Sequence, residues 1–241
     1  MSGHSKWATI RRKKAVIDAK RGKTFTRLIK ELMIATIQGG SDPDGNPRLR
    51  LAIDNAKSAN MPADNIERAI KKAAGELEGQ QITEMMYEGY GPGGAAIVIE
   101  AATDNKNRTV QEVRHWFSKI GGNMAESNAV VWMFEHKGII TVKREGKTED
   151  EMMEILLDAG ADDFVTEEEV FEIRTTLEDF ENVRRALIDK NLNVENASLQ
   201  WIPKMHTQVG KEDIEKFEKL IDALEDIDDV QNVYTNAEFT D

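Results

Sequence analysis

The chain has 241 residues, 40% hydrophobic and 32% charged, the composition of a folded protein with room for more than one core. The absence of cysteine removes disulfides, thiolate metal sites and cysteine nucleophiles, and no apolar run approaches the ~18 residues of a membrane span. The formal net charge of −12 argues against a polyanionic partner only if it is evenly spread, and it is not: residues 1–80 hold 16 Lys+Arg against 9 Asp+Glu, while residues 81–241 hold 16 against 35.

In chain order, the N-terminal segment reads as helices. Phe25, Leu28, Ile29, Leu32, Met33, Thr36 and Ile37 recur at the spacing of an amphipathic helix, which Gly39-Gly40 should stop. Asn46-Pro47 offers an N-cap and a proline at the first helical position, opening a helix with Leu49, Ile53 and Ala56 inward. Met61-Pro62 starts a third, with Ile66, Ala69, Ile70 and Ala73 as its core face and Gly75 as its end. Apolar density then falls between 75 and 82, which places a domain boundary there.

Beyond it the pattern mixes strands and helices. Ala95–Ala102 is a continuous apolar strand; Val110, Val113, Phe117 and Ile120 mark a helix closed by Gly121-Gly122; Val130–Phe134 reads as a second strand. A β-α-β-β-α-β run follows: a strand Gly138–Lys143, a helix opened by a capping box of Thr148 and Glu151, strands near 162–166 and 169–175, a helix with Leu177, Phe180, Leu187 and Ile188, and a strand through 194–202. The last elements are a strand over 204–209, a helix over 211–226 with Ile214, Phe217, Ile221 and Leu224 on one face, and a strand Val230–Phe239. These lack local partners, and with 95–134 they would complete a second β-α-β-β-α-β unit. The expected fold class is therefore α+β, three-lobed: a basic helical N-terminal domain (1–80) followed by two ferredoxin-like α+β domains, one (135–203) inserted in the other (81–134 plus 204–241). The rival is three domains in a row.

Motifs for enzymatic chemistry fail on inspection. Gly89-x-Gly91-x-x-Gly94 has the dinucleotide-fingerprint spacing, but Pro92 sits inside it and a strand rather than a helix follows, so it reads as a glycine-rich hairpin loop. Gly22-Lys23-Thr24 and Gly146-Lys147-Thr148 lack the leading P-loop glycine, having Ile17 and Thr141 in its place. His4, His115, His136 and His206 are scattered without metal-ligand spacing, and the acidic runs, Asp226–Asp229 among them, read as solvated turns and helix ends. No catalytic residue, metal, cofactor or small-molecule substrate is expected, and the chain is read as not an enzyme.

What stands out is the N-terminal arm. Residues 1–30 hold 10 basic residues against Asp18 alone. Lys6, Arg11, Arg12, Lys13, Lys14, Lys20, Arg21, Lys23, Arg27 and Lys30 can neutralise phosphates, and Trp7 offers an indole face for stacking on an unpaired base or for packing a helix. His4 lies in the same arm, and Arg48 and Arg50 could add contacts if their helix end lies near it. No helix-turn-helix and no aromatic RNA-binding strands are evident, so recognition of backbone and shape is the better expectation.

Several strings together resemble the YebC family over essentially the whole chain: Gly3-His4-Ser5-Lys6-Trp7, Lys20-Arg21-Gly22-Lys23, Asn46-Pro47-Arg48-Leu49-Arg50, Asn60-Met61-Pro62, Ile66-Glu67-Arg68-Ala69-Ile70, Tyr87–Gly94, and Thr103-Asp104-Asn105 with Asn107-Arg108-Thr109. The resemblance implies a helical domain and two α/β domains, and no catalytic site. It implies a transcriptional regulator that binds promoter DNA, or alternatively a ribosome-associated translation factor that binds ribosomal RNA and relieves stalling at proline-rich stretches; a mitochondrial relative is a translational activator of cytochrome c oxidase. Where the family often has glycines this chain has Ala125 and Asn128, of which Asn128 is the better able to adopt a positive φ. With no signal-peptide pattern at its start, the chain is expected to be cytoplasmic, with no membrane partner.

Overall fold

The computed structural model describes residues 21–78 and 81–239. Three helices come first: α1 (Arg21–Gly39), α2 (Pro47–Ser58) and α3 (Ala63–Ala73). Gly40, at φ 89°, ends α1, and the Asn46 side chain accepts the Leu49 N–H to cap α2, with Pro47 at its first position. Leu32, Ala35, Leu49, Ala52 and Ala56 are fully or almost fully buried and meet Met61, Ile66 and Ala69 in one cluster. The small alanines let the helices approach closely, and Leu32 and Leu49 each contribute about 1.5–3 kcal/mol of apolar burial.

The next strand is one that the sequence pattern did not reveal. β1 (Thr83–Tyr90) pairs antiparallel with β2 (Ala96–Thr103), Thr83 opposite Thr103 through Tyr90 opposite Ala96. The glycine-rich stretch is split between them: Tyr87–Tyr90 belong to β1, and Gly91–Ala95 make the turn, with Gly93 and Gly94 at φ 77° and 78°. Gly89 lies in a strand for a steric reason, since a Cβ there would come within 2.6 Å of Phe117 Cζ and 2.7 Å of the Asn123 carbonyl oxygen. A Cβ on Gly91 would meet the Phe217 ring at 2.5 Å.

Helix α4 (Lys106–Ile120) starts at Asn105, whose side chain accepts the Arg108 N–H, and ends at Gly121 in the left-handed conformation. The strand after it is β3 (Asn123–Ala125), not Val130–Phe134: Val131–Met133 form a single 3-10 turn, and only Phe134 enters the strand β4 (Phe134–Lys143). The backbone N–H groups of Val130 and Val131 are taken by the Glu88 carboxylate, so that segment does not join a ladder. Asn128 does stand at positive φ, 66°, whereas Ala125 closes β3 without one.

Contacts divide the chain into two compact units, one formed by the described residues to Glu135 and from Pro203, the other by His136–Ile202. In the latter, α5 (Glu149–Ala159), β5 (Asp163–Thr166), β6 (Val170–Thr175), α6 (Phe180–Asp189) and β7 (Val194–Pro203) follow β4, and the sheet order is β5-β6-β4-β7, the ferredoxin-like arrangement. Both halves of the Thr148–Glu151 capping box are formed. Met152, Leu156, Phe180, Val183 and Leu187 are buried from the helices, with Ile140, Phe171 and Ile173 from the sheet; Leu177 and Ile188 are exposed rather than inward.

The first unit closes with β8 (Thr207–Val209), α7 (Lys211–Glu225), β9 (Val230–Thr235) and β10 (Ala237–Phe239). Its main sheet runs β3-β1-β2-β9, so β1 takes the position that a ferredoxin-like count from β2 would give to β8. β8 instead pairs in parallel with β10, because the chain breaks after Thr235 at Asn236, whose buried side chain accepts the Ala96 N–H and donates to Thr207. α4 and α7 bury Phe117, Phe217, Leu220 and Leu224 with Ile97 and Ile99 of β2, which forms the larger core.

Candidate nucleic-acid interface

Of the basic and aromatic residues singled out in the arm, His4, Lys6, Trp7, Arg11, Arg12, Lys13, Lys14 and Lys20 lie outside the described residues, and Arg21 is the first residue of α1. The others are placed. Lys23, Arg27 and Lys30 recur at i, i+4 and i+7, one face of α1, and all three reach the same short segment at the C-terminal end of α7. Lys23 Nζ donates to Asp226 Oδ1 at 2.6 Å, Arg27 Nη2 to the Glu225 carbonyl at 2.7 Å, and Lys30 Nζ to the Asp228 carbonyl and to Asp229 Oδ1, both at 2.8 Å. The last carbonyls of a helix carry partial negative charge, which favours cations there.

The contacts differ in weight. Lys23–Asp226 is a surface pair with the Asp226 side chain 80% exposed, the kind that contributes about 0–1 kcal/mol. Asp229 is nearly out of solvent and collects four donors: Lys30, Arg108 Nη2 at 2.6 Å, and the hydroxyls of Thr103 at 3.1 Å and Thr109 at 2.7 Å. Burial alone would raise its pKa, but the bonds from Lys30, Arg108 and Thr109 outweigh it and hold the carboxyl down at about 2. Its carbonyl also accepts the Ala102 N–H beside the β2–β9 register shift. In sequence Asp229 looked like one more solvated acid of a run; what distinguishes it is Lys30, 199 positions away.

Arg48 and Arg50 are held elsewhere. Arg48 forms a two-pronged pair with Glu31, Nε to Oε1 at 2.8 Å and Nη2 to Oε2 at 3.1 Å, and reaches Glu84 of β1 at 2.9 Å and Gln38 at 2.7 Å. Burial pushes the Glu31 carboxyl up despite Arg48, with Glu84 and Glu100 adding to the rise. Desolvation works against the Arg48 charge, but Glu31 and Glu84 more than compensate and raise its pKa further. Arg50 Nη1 donates to the carbonyls of Pro43 at 2.8 Å and Asp44 at 3.3 Å, bracing the loop before α2. The structure thus gathers Lys23, Arg27 and Lys30 on one edge, and sets Arg48 against β1 and Arg50 against its own loop.

The Tyr87–Gly94 stretch proves to be scaffold. Glu88, 4% exposed, accepts backbone N–H groups from Asn128 at 2.6 Å, Val130 at 2.7 Å and Val131 at 2.9 Å, organising the loop that leads into β4. Among the described residues no group of three or more His, Asp or Glu side chains could hold a metal ion, and no helix is long and apolar enough to cross a membrane.

Comparison with known proteins agrees with this architecture. A family model described as the TACO1/YebC protein N-terminal domain matches residues 5–76, and one described as the TACO1/YebC second and third domain matches residues 82–237. A "probable transcriptional regulatory protein" of Pelodictyon phaeoclathratiforme is 54% identical, covering 100% of this chain and 97% of its own. One of the same description from Chlorobaculum tepidum is 53% identical, with 100% and 96% covered. The crystal structure of a conserved hypothetical protein from Aquifex aeolicus matches with a TM-score of 0.86 at 48% identity, covering 93% of each chain. The chain belongs to the TACO1/YebC family.

Proposed function

We propose that this protein is a non-enzymatic regulator of gene expression that binds duplex DNA through its basic N-terminal arm. The observation that carries the reading is the separation of charge: 10 basic residues against one acidic in residues 1–30, on a chain of net charge −12. The name borne by its curated relatives, probable transcriptional regulatory protein, supports the regulatory role. With Lys23, Arg27 and Lys30 drawn to the end of α7, the cations assigned to phosphate are Lys6, Arg11, Arg12, Lys13, Lys14 and Lys20, with His4, Trp7 and Arg21 beside them. Five to six such contacts give log affinity a slope of about −4.5 to −5.5 against log salt on duplex DNA. The acidic residues 81–241 would repel a long duplex, so binding is confined to the basic residues 1–80 and its specificity comes from backbone geometry and shape.

A folded ribosomal RNA is the second reading, favoured by one observation: residues 81–241 carry 16 basic against 35 acidic side chains, and a short basic arm on a repelling body suits a confined cleft. Fluorescence-anisotropy titrations of the whole protein with a promoter-length duplex and with a structured ribosomal RNA fragment decide between them. The variant with Arg11, Arg12, Lys13 and Lys14 changed to Ala should lose most of its affinity while unfolding like the wild type. Equal binding by variant and wild type would refute the arm, and tighter binding to the RNA would replace the first target with the second.

A further inference from the structure

The cations of the helical domain fall into two groups. Lys23, Arg27, Lys30, Arg48 and Arg50 all end on carboxylates or carbonyls of the chain. The outer face of α3 is different. Ile66 and Ala69 turn into the three-helix core, which leaves Arg68 pointing outward and Lys72 one turn further on beside it. Arg68 is exposed and Lys72 half-buried, and neither side chain makes a hydrogen bond or ion pair with another described residue; the Lys57 side chain, at the exposed end of α2, is also unpartnered. Their neighbour Lys71 is neutralised by Glu67 at 2.5 Å.

Other exposed cations also stand unpaired among the described residues, Arg114 and Lys211 among them, but Arg68 and Lys72 stand one turn apart on a helix of the basic domain. Side chains at i and i+4 sit about 5–6 Å apart along a helix, so Arg68 and Lys72 form a short row of charge. A row suits a linear polyanion better than a single carboxylate, and the guanidinium fork is matched to phosphate oxygens. α3 also packs on α1, the helix into which the basic arm runs.

We propose that Arg68 and Lys72 are a second phosphate-binding site, gripping the backbone of the nucleic acid whose other contacts are made by the arm. This rests on the nucleic-acid reading above. Each phosphate neutralised adds about 0.9 to the salt slope on duplex DNA, so the pair adds about 1.8 to the slope the arm gives. The contacts carry no base information, so their loss should weaken binding alike on every sequence.

The test is a salt titration of duplex binding by the wild type, by the variant with Arg68→Ala and Lys72→Ala, and by Lys71→Ala. The double variant gives up no internal bond, so its unfolding midpoint should match the wild type. Its salt slope should be shallower by about 1.8, with Lys71→Ala unchanged. A steep wild-type slope that the double variant reproduces overturns the α3 site and leaves the arm standing. A loss as large in Lys71→Ala overturns the assignment to this pair, and a wild-type slope near zero overturns arm and α3 site together.

Discussion

Asp229 takes bonds from Thr103, Thr109, Arg108 and Lys30 while its side chain is only 5% exposed. Asp229→Asn keeps the shape and removes the charge, leaving the largely buried Lys30 ammonium uncompensated, at a cost of about 3 kcal/mol in urea unfolding. Because the folded-state pKa lies at about 2, below the ordinary carboxylate value of 3.8, the unfolded chain takes up the proton first. The stabilisation is therefore complete at neutral pH and fades as pH falls from about 4 to about 2, where wild type and Asp229→Asn should converge. A gap between them that persists unchanged to pH 2 would contradict this role. Nothing in residues 226–229 alone separates this buried acid from its solvated neighbours, because its partners come from α1 and α4. Asn128 was the opposite case: its short polar side chain tolerates the left-handed region, and the loop uses it there at φ 66°.

The helices were legible because their signals are local. The Asn46-Pro47 start, the Thr148–Glu151 box and the glycines at 40 and 121 each act within one turn of the helix they bound. β1 was not legible, since its Gly89 is required by Phe117 and the Gly91 that follows it by Phe217, residues of α4 and α7 that lie far along the chain. Val130–Phe134 misled for a similar reason: an apolar run looks like a strand until a distant carboxylate, Glu88, takes its N–H groups. Gly89→Ala should accordingly cost about 1–3 kcal/mol by forcing Phe117 and Asn123 aside. Gly94→Ala, where a Cβ meets nothing within 4 Å and only the φ of 78° is strained, should cost about 1 kcal/mol. Thermal unfolding of the two variants checks the order; equal losses would mean that packing on Phe117 is not what requires the glycine.

At the scale of the whole molecule, the inserted unit and the arm should be separable. The Lys204 N–H donates to the Met133 carbonyl at 2.9 Å, so the two points where the chain leaves and re-enters the first unit are adjacent. Replacing residues 136–202 by a short Gly/Ser linker should leave a cooperatively unfolding protein with the duplex affinity of the full chain, since the arm, α1 and α3 all belong to the remainder. Loss of cooperative unfolding would show that the first unit depends on the insert. The arm's charge was legible from residue counts alone, whereas the engagement of Lys23, Arg27, Lys30 and Arg48 was not, because their partners lie in α7, β1 and the turn before β9. The account turns on an electrostatic grip by that arm on phosphates, and the most direct measurement is the salt dependence of duplex binding by the full-length protein. A plot of log affinity against log salt falling at about −4.5 to −5.5 or more steeply is the predicted result, and a slope near zero would contradict it.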